Sequence, residues 1–179
     1  PEGRVFTDQF LAIKILSESL PEGFKIYVKE HPRQIGLFPD LRRFSFRNKN
    51  YYNEINGLKN VFFVNTFFPS DKLLNHASIN STITGSIGIN SIRKKIPVIV
   101  FAKTWYSNSD MCKIVTSVDE CRKSISSLMK ISKSKKDFYA NRFIKNISNY
   151  LVISNLHNKN KKNNGNDLEN NLKSIFSKN

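Results

Sequence analysis

The sequence predicts an α/β fold in which parallel strands form a sheet with helices on both faces. Three observations lead to this prediction: short apolar runs rich in β-branched residues recur along the chain, segments of helical periodicity separate them, and the connections are short. Strands that alternate with helices in this way run parallel, because each helix returns the chain to the start of the next strand.

The first third of the chain predicts a helix and a strand. The apolar residues Phe6, Phe10, Ile13 and Leu16 recur at helical spacing, so residues 7–19 read as an amphipathic helix that Pro21 stops. After the turn at 21–23, the apolar run over residues 24–28 is the first strand. Residues 33–47 have no clear period and contain a glycine and a proline, which is typical of a loop.

The middle of the chain continues the alternation. A short helix over residues 48–56 ends at Gly57, as helices often do, and residues 61–64 form the next strand. Ser70 follows a proline, and we expect it to cap a short helix through Asn75. A strand over residues 79–83 then leads into a Gly-rich turn and a helix over residues 86–94.

The last part of the chain predicts two strands and two helices. Residues 97–101 are a β-branched strand, and a short strand follows at 113–115. Ser117 and Glu120 form a capping box, with Glu120 placed to reach back to the cap, and open a helix to about residue 130. A longer helix over residues 135–153 carries apolar residues on one face: Phe138, Phe143, Ile147 and Leu151.

Size and charge limit the classes of function. The chain has 179 residues and a formal net charge of +15, which indicates one domain with an attraction to phosphates, nucleic acid or an anionic membrane surface. A lysine-rich solvated surface would give the same charge without any partner. The longest apolar run, residues 96–102, is far too short to span a bilayer. Cys112 and Cys121 make neither a disulfide framework nor a zinc site, so a reducing cytoplasm fits best.

The domain boundaries follow from composition. We expect one nucleotide-binding domain over residues 1–156 and an Asn- and Lys-rich tail over residues 157–179, where three apolar residues are spaced for a short last helix. Because the first residue is Pro1, we expect the chain to be a piece of a longer protein.

Two segments at predicted strand ends carry the chemistry. Lys29-Glu30-His31-Pro32 follows the first strand, and Thr84-Gly85-Ser86-Ile87-Gly88 lies between a strand and a helix. In open parallel sheets, ligands bind outside the carboxyl ends of the strands. A histidine and a lysine there can bind a phosphate oxygen, and a Gly/Ser turn presents N–H and O–H groups to the same anion. The alternatives are a structural histidine at a loop start and an ordinary strand-to-helix turn.

Two aromatic segments admit more than one interpretation. Arg42 to Arg47, followed by Tyr51-Tyr52, interleaves basic and aromatic groups, which suits base stacking along a single nucleic-acid strand. We favour the alternative, a surface loop that its aromatic groups anchor to the core. Trp105-Tyr106 follows the strand at 97–101 and either walls the site or covers the core. No catalytic triad, metal-ligand spacing or carboxylate pair stands out, so we predict no metal and no cofactor.

Several segments recur in a distinctive order and spacing over roughly residues 1–130, and they resemble bacterial capsule and surface-polysaccharide biosynthesis proteins. The segments are Pro1-Glu2-Gly3, Asp8-Gln9 before a helix, Leu20-Pro21-Glu22-Gly23, Tyr27-Val28-Lys29-Glu30-His31-Pro32, Asn60-Val61, Thr82 to Gly88, and Ile96 to Phe101 with Trp105-Tyr106 downstream.

This resemblance implies a glycosyltransferase of the GT-B type, of which the chain is the C-terminal, Rossmann-like, donor-binding half. It implies that the donor phosphate of a nucleotide sugar, including a CMP-linked one, is bound by Lys29, His31, Thr84, Gly85, Ser86 and Ile87. The base and ribose would lie against Thr66, Phe68, Ser70 and Asn90. Asn90 stands where such proteins often have a glutamate for the ribose hydroxyls, and its amide is a weaker acceptor than a carboxylate.

We therefore predict transfer of a sugar to a capsule or surface glycan, or to its lipid carrier, in the cytoplasm or peripherally at the inner membrane. The catalytic base would lie mainly in an N-terminal GT-B domain, although Glu30 and Asp40 are candidates within this chain. The alternatives are a related sugar-phosphate transferase or epimerase, and a non-catalytic basic domain that binds nucleic acid or anionic glycan. Of these partners, we favour the nucleotide sugar over nucleic acid.

Overall fold

The computed structural model describes residues 3–31 and 48–148. The chain divides into two units, residues 1–144 and 145–179, and all the described strands belong to the first unit. The predicted loop at 33–47, with Asp40 and the segment from Arg42 to Arg47, lies outside the described residues, as does the predicted tail at 157–179.

The described residues alternate between helices and strands, as predicted. After a 3₁₀ turn at Arg4–Thr7, the elements are α1 Gln9–Ser19, β1 Ile26–Lys29, α2 Lys49–Asn56, β2 Val61–Val64, α3 Ser70–Leu74, β3 Asn80–Thr82, α4 Ile87–Arg93, β4 Val98–Val100, β5 Cys112–Ile114, α5 Val118–Met129 and α6 Lys133–Ser148. Each predicted strand and helix over residues 7–130 is present, with ends displaced by no more than a few residues.

The strands pair in parallel throughout the described residues. β1 pairs with β2, with Lys29 opposite Val64, and a second sheet has the order β3-β4-β5. These parallel sheets, flanked by helices, confirm the predicted α/β, Rossmann-like class. β1 and β3 are not hydrogen-bonded to each other, so the described strands form two sheets rather than one. The sequence pattern did not predict this division.

Helix α1 packs against both sheets. One side places Ile13 in an apolar cluster with Tyr51, Ile55 and Val61, next to β1 and β2. The other side places Ala12 and Ile15 in the larger core cluster, which β4 and α5 complete with Ile99, Ile125 and Leu128, among others. The helix therefore belongs to the packing of both sheets.

Polar groups fix the last turn of α1. Ser17 Oγ donates to Asn60 Oδ1 at 2.6 Å, and Asn60 Nδ2 donates back to the Ser17 carbonyl at 3.1 Å, directly before β2. The buried Ser19 Oγ lies 3.0 Å from the carbonyl of Val118 at the start of α5. These bonds hold the first strands and α5 at defined positions against one helix.

Two helix starts differ in detail from the prediction. Ser70 is the first residue of α3 rather than its cap, and Pro69 occupies the cap position without a side-chain hydrogen bond. At α5 the cap is Ser117, as predicted, but Glu120 Oε2 accepts from both the N–H and the hydroxyl of Thr116 at 2.8 Å. Thr116 offers two donors to one carboxylate, and this explains why Glu120 reaches one residue beyond the cap.

Candidate functional site

The ends of β1 and β2 bring predicted phosphate-binding residues and predicted base-binding residues to the same part of the fold. Lys29 lies opposite Val64 in the last register pair, so the residues that follow each strand leave the sheet side by side. His31 is exposed, and Thr66 is half-buried. Because the strands are parallel, the predicted phosphate-binding histidine and a predicted base-binding residue lie at the same edge.

A tight turn shapes the end of β2. Asn65 Oδ1 accepts from the N–H of Phe67 at 2.8 Å, and the Asn65 carbonyl accepts from the N–H of Phe68 at 2.9 Å. An asparagine side chain that bonds two residues on stabilises such a turn locally. The turn leaves the Phe67 side chain 69% exposed beside the strand ends, where it can contact a ligand.

A pocket of about 470 Å³ opens at these strand ends. The Tyr52 and Phe63 rings lie 5.5 Å apart, centroid to centroid, and form part of an aromatic wall. The volume is within the range of small-molecule sites, and aromatic rings beside a few polar groups are the usual composition of a site that stacks on a base. The lining residues are Glu30, Tyr52, Phe63, Val64, Asn65, Thr66 and Phe67.

Glu30 is the carboxylate of this pocket. Its side chain is only 7% exposed, although it directly follows β1, and Tyr51 Oη donates to its Oε1 at 3.4 Å. The sequence indicated Glu30 only as a candidate catalytic base, next to Lys29 and His31. Its burial against α2 could not be predicted from the sequence.

The Gly turn lies at the end of β3 and is held from two sides. The N–H of Gly85 donates to Thr82 Oγ1 at 3.1 Å, and Tyr106 Oη donates to the Gly85 carbonyl at 2.6 Å. A Cβ on Gly85 would lie 2.7 Å from Thr82 Oγ1, so the turn has no space for a side chain there. The conformation of the turn is therefore fixed by hydrogen bonds to Thr82 and Tyr106.

The sequence marked Tyr106 as a residue that walls the site or covers the core, but it did not indicate the hydrogen bond to the Gly turn. It is fully buried, and a Cβ on Gly88 would lie 2.5 Å from its ring atoms and hydroxyl. Burial raises the pKa of the Tyr106 hydroxyl, which keeps it protonated as a donor to Gly85. The adjacent Trp105 is 59% exposed, so of the two predicted roles Tyr106 covers the core while Trp105 stays at the surface.

The groups of the turn that remain for a ligand are Ser86 and Ile87. The Ser86 side chain is exposed and makes no capping hydrogen bond to α4. Among the hydrogen bonds of residues 3–31 and 48–148, none involves the N–H of Ser86 or of Ile87, whereas the N–H of Gly85 is already bonded within the turn. An anion at this turn would therefore meet the Ser86 hydroxyl and two N–H groups.

The predicted site residues fall into two groups. Lys29, His31, Thr66, Phe68 and Ser70 belong to the ends of β1 and β2, and Thr84, Gly85, Ser86, Ile87 and Asn90 belong to the turn after β3 and to α4. Their roles in binding a donor stay predictions. Within the described part of the chain, no three His, Cys, Asp or Glu side chains are placed to share a metal ion.

Asn90 lies on α4, which is tied to β3 by buried polar groups. The Asn80 amide donates to Ser91 Oγ at 2.8 Å, and Ser91 Oγ donates to the Ile87 carbonyl at 2.9 Å. Asn90 itself is half-buried. The neighbour of the predicted ribose-binding residue is therefore structural, and it fixes the helix on which Asn90 stands.

The chain matches a known protein family over most of its length. The family model described as "Capsule polysaccharide biosynthesis protein" matches residues 7–162, which is most of the chain. No curated protein and no solved structure matches it. The described residues contain no helix long and apolar enough to cross a membrane.

Proposed function

We propose that this chain, which belongs to the capsule polysaccharide biosynthesis protein family, is the donor-binding domain of a glycosyltransferase. Family membership assigns it a role in capsule synthesis; the transfer reaction and its nucleotide-sugar donor are our proposal. One observation supports it most: the register of β1 and β2 puts Glu30, which directly precedes His31, in an open, aromatic-lined pocket of about 470 Å³ at the strand ends.

The donor phosphate would be bound by groups from both strand-end regions. His31 and Lys29 supply positive charge or N–H donors after β1, and Ser86 supplies its hydroxyl and N–H together with the N–H of Ile87. Hydrogen bonds from charged donors to phosphate oxygens are roughly twice as strong as neutral ones. In this scheme Thr84 adds its hydroxyl to the phosphate site, Thr82 and Gly85 shape the turn, and Tyr106 holds the turn in place.

The nucleoside would occupy the pocket at the end of β2. Tyr52 and Phe63 offer ring faces for stacking, and the Glu30 carboxylate accepts hydrogen bonds from an exocyclic amino group. Cytosine, adenine and guanine carry such an amino group and uracil does not, so this acceptor suits a CMP-linked donor better than a UDP-linked one. Thr66, Phe68, Ser70 and Asn90 would flank the base and ribose.

The chemistry would be displacement at the anomeric carbon. The bond from that carbon to the nucleotide phosphate breaks, the phosphate keeps the electron pair, and an acceptor hydroxyl of a glycan or lipid-linked glycan forms the new bond while losing its proton to a base. Groups aimed at the leaving phosphate stabilise the charge that develops on it. We expect no metal in this role, and we place the base and the acceptor site mainly in an N-terminal GT-B domain.

The test is calorimetric titration of the chain with CMP, CDP, UDP and GDP at moderate salt. One nucleotide should bind at one-to-one stoichiometry, and His31→Ala should weaken this binding at least tenfold. His76→Ala is the matched control, since His76 is also exposed but lies just after α3, outside both groups. Equal loss in both variants, or unchanged affinity in His31→Ala, would contradict the proposal.

A binding module without catalytic activity is the second candidate, because the net charge of +15 alone would attract polyanions. Binding of that kind falls steeply with salt and does not depend on His31. A sugar-phosphate transferase or epimerase would have the same nucleotide site. Only identification of the reaction products distinguishes such an enzyme from a glycosyltransferase.

A further inference from the structure

We propose that the corner between α5 and α6 binds an anionic lipid membrane. The corner comprises the end of α5, the short connection, and the first turns of α6, from Met129 to Phe138. It lies outside both groups of donor-site residues, so the inference does not depend on the proposed reaction.

The corner concentrates positive charge. Lys130, Lys133, Lys135 and Lys136 fall within seven residues, and the same stretch contains no acidic residue. Within the part of the chain that the structure describes, none of the four forms an ion pair. The next residue, Asp137, is paired with Lys95 at 2.9 Å, so it does not neutralise the cluster.

Two large apolar side chains are exposed among these lysines. Met129 is 42% exposed and Phe138 is 58% exposed. Phe138 lies three residues after Lys135 on α6, so both side chains project from the same side of the helix. The guanidinium of Arg142 lies 5.2 Å from the Phe138 ring centroid, but it is paired with Asp110, so this pair adds no net charge to the corner.

This combination favours a membrane over another polyanion. Lysines near an anionic bilayer are attracted to its headgroups, while exposed aromatic and aliphatic side chains enter the boundary between headgroups and acyl chains. A nucleic acid would satisfy the lysines but would leave the Met129 side chain in water. Three of the four lysines, Lys133, Lys135 and Lys136, lie within about 5 Å along the axis of α6, and Lys130 directly follows α5.

The expected effect can be stated as a ratio. Each lysine at an anionic surface contributes about fivefold to the partition constant. Replacing Lys130, Lys133 and Lys135 by glutamine should therefore lower binding to anionic vesicles about a hundredfold. Phe138→Ser should lower it by a smaller factor without changing the net charge.

The test is co-sedimentation of the full chain with vesicles of phosphatidylcholine containing 30% phosphatidylglycerol, at about 0.1 M salt. The wild type should sediment with these vesicles and should not sediment with pure phosphatidylcholine. The matched control replaces three exposed lysines elsewhere, Lys14, Lys49 and Lys59, by glutamine, which lowers the net charge by the same three units. This control should retain most of the binding.

Three results would overturn the proposal. Equal loss in the control would mean that net charge alone drives binding. Equal binding to neutral vesicles would remove the role of the lysines. If Phe138→Ser binds vesicles like the wild type, and the triple lysine variant loses affinity equally for vesicles and for a single-stranded oligonucleotide, the corner is a general polyanion surface. Thermal unfolding of each variant checks that the fold is unchanged.

Discussion

Replacing Gly88 by alanine tests whether Tyr106 supports the Gly turn. Gly88 is the second residue of α4, where an alanine would ordinarily stabilise the helix by about 1 kcal/mol. Here its Cβ would lie 2.5 Å from three atoms of the fully buried Tyr106, namely Cε2, Cζ and Oη. Either the ring or the helix must move, so we expect Gly88→Ala to destabilise the protein.

The magnitude follows from two effects. Overpacking a well-packed site costs about 1–3 kcal/mol. Displacing the ring also breaks the 2.6 Å bond from Tyr106 Oη to the Gly85 carbonyl, which costs about 1–2 kcal/mol. After the gain of about 1 kcal/mol in helix propensity is subtracted, we expect a net loss of about 1–4 kcal/mol in the free energy of unfolding.

Urea unfolding of a double-mutant cycle measures this effect. Tyr106→Phe removes only the hydrogen bond and should cost about 1 kcal/mol. Tyr106→Leu removes the atoms that clash, so in that background Gly88→Ala should stabilise the protein by up to about 1 kcal/mol. If Gly88→Ala stabilises the wild type, or costs the same with leucine at position 106, the close packing of Tyr106 on α4 is refuted.

Three further predictions concern the rest of the fold. Burial raises the pKa of the Cys112 thiol to about 11 and also raises the pKa of the Cys121 thiol. Neither thiol should therefore react with a thiol reagent at pH 8 until denaturant is added. Rapid reaction in the native protein would contradict this prediction. Hydrogen bonds from Thr116 hold the pKa of Glu120 below its ordinary value of 4.5. The wild type should therefore be more stable than Glu120→Gln at neutral pH, and this advantage should disappear as the pH falls through the lowered pKa. Thermal unfolding of both proteins over a range of pH measures the difference. Asn60→Ala removes two bonds to α1 and should cost about 1–2 kcal/mol in urea unfolding, whereas an unchanged midpoint would mean that water replaces both.

The sequence predicted the order and class of the elements because their signals act over a few residues. Asn48 caps α2 with its side chain, Gly57 ends the helix, and the run from Val61 to Val64 is a strand with the predicted limits. At α5 the predicted cap Ser117 is present, and the Glu120 carboxylate in addition accepts two hydrogen bonds from Thr116, which the capping rule does not include.

The candidate site was predictable only in part. Polar residues after strands identified His31 and the Gly turn, and parallel pairing then put the residues that follow β1 and β2 at the same sheet edge. The partners that build the site come from distant parts of the chain: Tyr51 lies 21 residues from Glu30, and Tyr106 lies 21 residues from Gly85. No local pattern encodes such pairs.

The sequence by itself determined the alternation of strands and helices, the family resemblance and the histidine at a strand end. Only the tertiary structure decided that Glu30 is buried in an aromatic pocket, that Tyr106 leaves no room for a side chain on Gly88, and that β1 and β3 belong to separate sheets. The physical reason is range. Caps, turns and periodicity depend on neighbours within about one helical turn, whereas burial and strand pairing depend on which distant surfaces exclude water from each other.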